Sequence, residues 1–267
     1  MVTYFVVQES KAIMRVSVEV PVFKHTYLEE TIRSVLGQSF EDWHLYLLSD
    51  GASMKAQKLM REWAEHPKIS VHFADNAGIG ASRRRLTAWS ESEYILPLDD
   101  DDILFSDCIE EMTACMDKHK EAGLVRARRK FIDRKGKVLD EPCWFPFEER
   151  KLYRGMTCDL HNHSQPTLIR RSAYDKTEGW FGFQEYGGAG EDCDIFLKIE
   201  EVADIILLDR FLYGYRLHRK RFSRELGSKS AYHMWRMLAD ATIERRRLPL
   251  RRINDKPPFK YEQIDEG

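Results

Sequence analysis

The chain has 267 residues, 43% of them apolar and 32% charged, with a formal net charge of -2. That length suits one large domain, or one domain with an extension, and the balanced charge gives no general reason to expect a nucleic-acid partner. Five cysteines without a C-x-x-C pair, an N-terminal apolar run too short for a signal peptide, and no stretch near the roughly 20 apolar residues of a bilayer span argue against a disulfide-stapled, secreted or membrane-spanning chain; the expected location is the cytoplasm.

Residues 15–23, R-V-S-V-E-V-P-V-F, put Val16, Val18, Val20 and Val22 on one face and predict a strand. Pro21 marks its end, because proline cannot donate to a ladder, and Glu19 is an odd guest in a central strand. Thr26 with Glu29 three residues later predicts a capping box, and Leu28, Ile32, Val35 and Leu36 continue at helical spacing to Gly37. A second strand, Leu45–Leu48, ends in Ser49-Asp50-Gly51-Ala52-Ser53 before a helix carrying Ala56, Leu59 and Trp63. A third, Ile69–Phe73, leads through Asp75-Asn76-Ala77-Gly78-Ile79-Gly80 into a helix with Arg83, Arg84 and Arg85. Glycines allow close backbone approach and a helix N-terminus favours anions, so this turn would suit a diphosphate. An ordinary loop beside a solvated basic face is the commoner reading of one G-x-G.

The fourth strand, Tyr94–Leu98, runs into four consecutive aspartates, Asp99 to Asp102. Burying unpaired charge is costly, so the strand is expected to deliver them to its C-terminal edge, facing water or a cation. In open α/β sheets ligands bind at that edge, and a hard divalent cation suits clustered oxygens. An acidic loop capping the next helix is the plain alternative. Strand and helix alternate at least three times by residue 105, which predicts a mostly parallel sheet with helices on both faces. The strand ends near Phe23, Asp50 and Asp99 then converge on one edge.

After a helix over 106–118, the runs 124–132 and 138–139 flank Asp133-Arg134-Lys135-Gly136, a hairpin turn. Residues 140–165 carry His161 and His163 and show no period. Leu168–Arg171 reads as a strand. Trp180-Phe181-Gly182-Phe183 and Tyr186–Gly190 form an aromatic, glycine-rich passage that suits sugar stacking or plain core packing equally. Glu191-Asp192-Cys193-Asp194 open a helix, where acidic residues also serve the helix dipole. Strands over 205–208 and 211–215 lead to His218, whose neutral imidazole could complete a metal site. A helix over 231–247 ends among Arg245, Arg246, Arg247, Arg251 and Arg252, which suit anionic lipid or simply a helix C-terminus. Lys256–Gly267 reads as a loosely held tail.

Seven stretches in order and spacing carry a resemblance: V-S-V-E-V-P-V-F (16–23), T-I-R-S-V-L-G-Q-S-F (31–40), S-D-G-A-S (49–53), N-A-G-I-G-A (76–81), L-D-D-D-D (98–102), G-E-D-C-D (190–194) and Y-R-L-H (215–218). Over roughly residues 15–223 the chain resembles the family 2 glycosyltransferases. The resemblance implies a GT-A fold: a Rossmann-like, mostly parallel sheet flanked by helices, with a small antiparallel acceptor-side part and a C-terminal helix. It implies a transferase domain over 1–225, with a nucleotide half near 15–105 and an acceptor half near 106–225, and a helical extension with a tail over 226–267. The implied activity is inverting transfer of a sugar from a nucleotide-diphosphate donor, UDP most often, to a hydroxyl of a saccharide or lipid-linked acceptor, as in bacterial surface polysaccharide synthesis.

The family pattern also implies roles. Pro21, Val22 and Phe23 would hold base and ribose, and Asp50 would accept from the base imide. Asn76 and Gly78 would line the phosphate side, Arg83 would steady the phosphates or the aspartate cluster, and Asp99 and Asp100 would lie near the ribose. Asp101, with Asp99 and His218, would bind Mn²⁺ or Mg²⁺. Asp192 would be the general base, its pKa raised by partial burial and by Glu191 and Asp194. Glu191, Trp180 and His163 are candidate helpers on the acceptor side. Three positions depart from the family: Ser49 stands where Asp is usual, Arg84 where Asn is usual, and Glu19 replaces an apolar strand residue. The Arg84 charge could alter the phosphate pocket. A sugar nucleotidyltransferase is the alternative enzyme, but Lys24-His25-Thr26 after the first strand lacks the glycines it would use. A non-catalytic nucleotide- or sugar-binding module is the other alternative, against which the full set of carboxylates speaks. Peripheral membrane contact through the basic C-terminus is a further expectation.

Overall fold

Val16, Val18, Val20 and Val22 are fully buried, but so are Ser17 and Glu19 on the opposite face of the same strand. A strand covered on both faces must lie inside a sheet with helices above and below. The computed structural model, which describes residues 14–24, 26–140, 157–158, 165–182, 188–218, 227–255 and 259–264, has this arrangement. In chain order its elements are β1 (Val16–Val22), α1 (Leu28–Leu36), β2 (Trp43–Asp50), α2 (Met54–Trp63), β3 (Ile69–Ala74), α3 (Ile79–Trp89), β4 (Tyr94–Pro97), β5 (Ile103–Leu104), α4 (Cys108–Lys118) and β6 (Ala122–Ile132). They continue with β7 (Thr157–Cys158), β8 (Thr167–Arg170), α5 (Arg171–Tyr174), α6 (Glu191–Glu200), β9 (Asp204–Arg216), α7 (Gly227–Arg245), β10 (Leu250–Arg252) and β11 (Phe259–Gln263).

The main sheet has eight strands in the order β3-β2-β1-β4-β8-β6-β9-β5. β1, β2, β3 and β4 are mutually parallel, and β6 and β9 pair in parallel; β8 and β5 run antiparallel to their neighbours. β1 sits at the reversal of strand order, between β2 and β4, so the crevice at its C-terminal end is where such a sheet binds ligands. One apolar cluster joins β1–β3 to α1, α2 and α4. A second joins Ile95, Leu124 and Ile169 to α6, to Leu238 and Ala239 of α7, and to Tyr261 of β11.

Three expectations change. Thr26 does not cap α1: Tyr27 holds the cap position without a side-chain hydrogen bond, because Glu29 turns forward to Arg33 (Oε1 to Nη2, 2.7 Å) instead of back. The strands over 205–208 and 211–215 are one strand, β9, whose irregularity at residues 209–210 lets it follow β6. Not all of the tail is loose: β11 pairs with β10 and β7 in a three-stranded sheet, and Tyr261 is buried. The C-terminal arginines also form ion pairs within the chain, Arg245 and Arg246 with Glu201, Arg251 with Glu262 and Arg252 with Asp240. Among the described residues no helix is long and apolar enough to cross a membrane.

Candidate active site

The four aspartates after β4 take four different partners. Asp99 Oδ1 accepts from Arg83 Nη2 at 2.6 Å. Asp100 Oδ2 accepts the backbone N–H groups of Phe23 (2.8 Å) and Lys24 (2.7 Å), fastening the end of β4 to the end of β1. Burial, then the charge of Asp101, pushes the Asp100 carboxyl up to about 7. Asp101 Oδ2 lies 2.7 Å from His218 Nε2. Its carboxyl is raised by burial and by Asp99. Asp102 is the exception to the expectation of water or a cation. It is 1% exposed and satisfied by the Tyr213 hydroxyl (2.8 Å) and the Arg216 N–H (2.7 Å). A buried acid persists when hydrogen bonds replace its hydration.

Arg216 is a site residue the sequence reading did not single out. Its Nε donates to the Asp101 carbonyl at 2.7 Å and its Nη2 to Glu30 at 2.8 Å, so it fixes the turn that aims Asp101 at His218. Its position in Y-R-L-H, two residues before His218, was the available signal.

Across the crevice, Arg83 of α3 is 1% exposed and touches two carboxylates. Nη2 meets Asp99 and Nε meets Glu191 Oε1 at 3.2 Å. The third nitrogen, Nη1, is buried with no hydrogen-bond partner among the described residues. Glu191 opens α6, and burial followed by the charge of Asp192 raises its carboxyl to about 8. Asp192 is half-buried; its Oδ1 accepts the Cys193 N–H at 2.8 Å, and burial raises its pKa. The acidic neighbour acting on it is Asp99 rather than Asp194, which is turned away to Lys198 at 2.7 Å. The helix cap is Gly190, not an acid.

The nucleotide-side candidates divide. Pro21 and Val22 are buried, whereas Phe23 is 53% exposed at the edge, so only Phe23 offers a side chain there. Asp50 Oδ1 accepts the Ala77 N–H at 2.7 Å, and Asn76 Nδ2 donates to the Asp50 carbonyl at 3.1 Å. Both therefore brace the turn before α3, whose cap Gly78 has φ +85°. Trp180 is not a sugar-stacking platform: it is 1% exposed and its indole N–H donates to Thr87 Oγ1 at 2.9 Å. Arg84 Nε donates to the Trp180 carbonyl at 2.9 Å, which takes its charge away from the carboxylates. His161 and His163 lie outside the described residues.

Gly182 and Gly188 serve close packing. A Cβ on Gly182 would stand 1.8 Å from the Gly188 carbonyl oxygen, and Gly188, at φ +82°, has its own hypothetical Cβ 2.9 Å from the Ile79 nitrogen. The two glycines and the first turn of α3 meet backbone to backbone, which keeps α6 beside Arg83.

A carboxylate and an imidazole that already converge, as Asp101 and His218 do, fit a divalent cation that takes its other ligands from substrate or water. Asp99 has its Oδ1 committed to Arg83, so only Oδ2 could join that set. Among the described residues no group of three His, Cys, Asp or Glu side chains could hold a metal ion alone.

The profile of glycosyl transferase family 2 matches residues 17–177. The chain belongs to that family. This family 2 glycosyltransferase is 26% identical to chondroitin synthase of Escherichia coli over 268 residues, 96% of this chain but 37% of that one. It therefore spans little more than a third of that relative's length. Among solved structures, S. aureus TarS 1–349 in complex with UDP-GlcNAc superposes with a TM-score of 0.67 at 18% identity, covering 86% of this chain and 66% of that one. The mannosyltransferase PcManGT from Pyrobaculum calidifontis, in complex with GDP-Man and Mn²⁺, gives 0.62 at 12% identity over 94% and 68%. These likenesses bear out the GT-A fold expected from the motifs.

Proposed function

We propose that the chain is an inverting transferase that moves a sugar from a UDP-sugar to a hydroxyl of a saccharide or lipid-linked acceptor during surface polysaccharide synthesis. The observation that carries this reading is Arg83, which touches Asp99 at the end of β4 and Glu191, the neighbour of Asp192. One buried cation thus ties the donor-side and base-side acids into one site. TarS with UDP-GlcNAc and the mannosyltransferase with GDP-Man support a nucleotide-sugar donor on this fold.

In the proposed reaction the acceptor oxygen attacks the anomeric carbon from the face opposite the diphosphate. The bond from that carbon to the diphosphate oxygen breaks with its electron pair, and Asp192 takes the hydroxyl proton. A raised pKa brings a carboxylate closer to the working pH of a general base. Asp101 and His218 would hold Mn²⁺ or Mg²⁺, the imidazole favouring Mn²⁺, and such a cation supplies charge neutralisation to a diphosphate leaving group.

The test separates chemistry from binding. Asp192→Asn is expected to lower transfer about 10²–10⁴-fold, the usual range for a general base, while calorimetric binding of UDP with Mn²⁺ is kept. Asp101→Ala is expected to abolish the Mn²⁺ dependence of UDP binding. Undiminished transfer by Asp192→Asn would remove the base assignment.

A further inference from the structure

Glu19 and Arg84, two of the positions at which the chain departs from its family, meet at one residue. Glu19 is completely buried in β1. Its Oε2 accepts the Thr87 hydroxyl at 2.6 Å, while Oε1 accepts the hydroxyls of Ser90 (2.8 Å) and Ser17 (3.1 Å). An indole N–H can only donate, so at the 2.9 Å contact with Trp180 Nε1 the Thr87 oxygen must be the acceptor, and its proton goes to Glu19. From the same helix Arg84 holds the Trp180 carbonyl. Trp180 is thereby gripped at ring and backbone. The guanidinium of Arg83 lies 5.6 Å from the centre of that ring, within cation–π range.

We infer that Glu19, Thr87 and Arg84 are positioning residues for the transfer reaction, acting through Trp180 to set where Arg83 holds Glu191 and hence the first turn of α6. An ordinary apolar residue at position 19 would leave the Thr87 proton without this acceptor. The Trp180 indole would then be free to tilt, and Arg83 would lose one wall of its slot. None of the three touches the reacting atoms; their effect is on geometry. The inference rests on the proposed role of Asp192, which lies next to Glu191.

Thr87→Val removes the relay at nearly constant volume, and Thr87→Ser restores it. With UDP-GlcNAc, UDP-Glc and UDP-Gal as donor probes, Thr87→Val is expected to lower kcat about tenfold to a hundredfold, the range for misplacement remote from the chemistry, with donor KM moving less than threefold. Thr87→Ser should recover most of the kcat. Arg84→Met should behave like Thr87→Val. Hydrogen exchange followed by mass spectrometry gives a readout that needs no turnover. Amides of residues 188–195 should exchange faster in Thr87→Val than in wild type, but not in Val71→Ala, a cavity variant in β3. A change in melting temperature with unaltered kcat, or equal exchange in the two variants, would overturn the inference. If Asp192→Asn proved fully active while exchange over 188–195 still rose in Thr87→Val, the base assignment would fail and the positioning network would stand.

Discussion

The two ends of β4 carry comparable clusters of charge and treat them in opposite ways. At the N-terminal end Arg15 donates to Glu93 and Asp117 at 2.9 Å each, and the Tyr94 hydroxyl adds a hydrogen bond to Asp117 at 3.1 Å. The side chains of Arg15, Glu93 and Asp117 are 30–47% exposed, and the Arg15 hydrogen bond holds the Asp117 carboxyl below its ordinary value. At the C-terminal end Asp100, Asp101, Asp102, Glu191 and Asp192 are all shifted upward, with burial the first cause in each case. At the N-terminal end, water and three cations, Arg15 with Lys120 and Arg170, hold two acids in a clasp. Taking acids out of water faster than cations are supplied leaves a deficit of positive charge, and active sites are where such deficits are kept.

The strongest way to break this contrast is Arg83→Met. Removing one partner of a buried ion pair leaves the others uncompensated, so stability to urea should fall by about 3–5 kcal/mol. Adding Glu191→Gln should restore part of that loss, since the two residues are in contact. A loss below about 1 kcal/mol would mean that this end is as relaxed as the other.

Next is the pH dependence of stability. Glu191 has a folded-state carboxyl near 8 against an ordinary 4.5, so the folded protein binds more protons than the unfolded chain between those values. Its contribution therefore declines as pH rises from about 4.5 to about 8. Glu191→Gln should flatten the fall in urea midpoint over that interval; an unchanged slope would place the deficit elsewhere.

The smallest effect belongs to the clasp. Asp117 has a depressed pKa, so its contribution is present above the ordinary 3.8 and lost as pH falls through that region. Its side chain is 37% exposed. Asp117→Asn should cost no more than about 1 kcal/mol at pH 7, as exposed ion pairs do, and nothing measurable at pH 2–3 by thermal melting.

How much of this was legible depended on whether the signal was local. The alternating valines of β1, the apolar run of β4 and the helical spacing in α1 and α2 are properties of neighbouring residues, and each led to the right element. The aspartates could be placed at a sheet edge, and the family pattern put His218 with Asp101 and Arg83 with the cluster; the Tyr213 hydroxyl and the Phe23 and Lys24 N–H groups were not legible, because they lie 76 to 111 residues away or belong to the main chain. Trp180 could not be told apart as a sugar platform or a core residue, since nothing beside it announces Thr87. Glu19 read as a misfit because its hydroxyl partners on α3 are remote in sequence. β11 was missed because F-K-Y-E-Q becomes a strand through pairing with β7 and β10 rather than through its own pattern.

The touching pair Gly182 and Gly188 has a practical consequence for redesign. Their backbones meet each other and the first turn of α3 just ahead of the helix that carries Glu191 and Asp192. A segment of other length or chemistry, grafted between these two anchors, would start and finish at unchanged points. Any exchange of that passage therefore has to leave both anchoring glycines intact, because a side chain at either would collide with main-chain atoms.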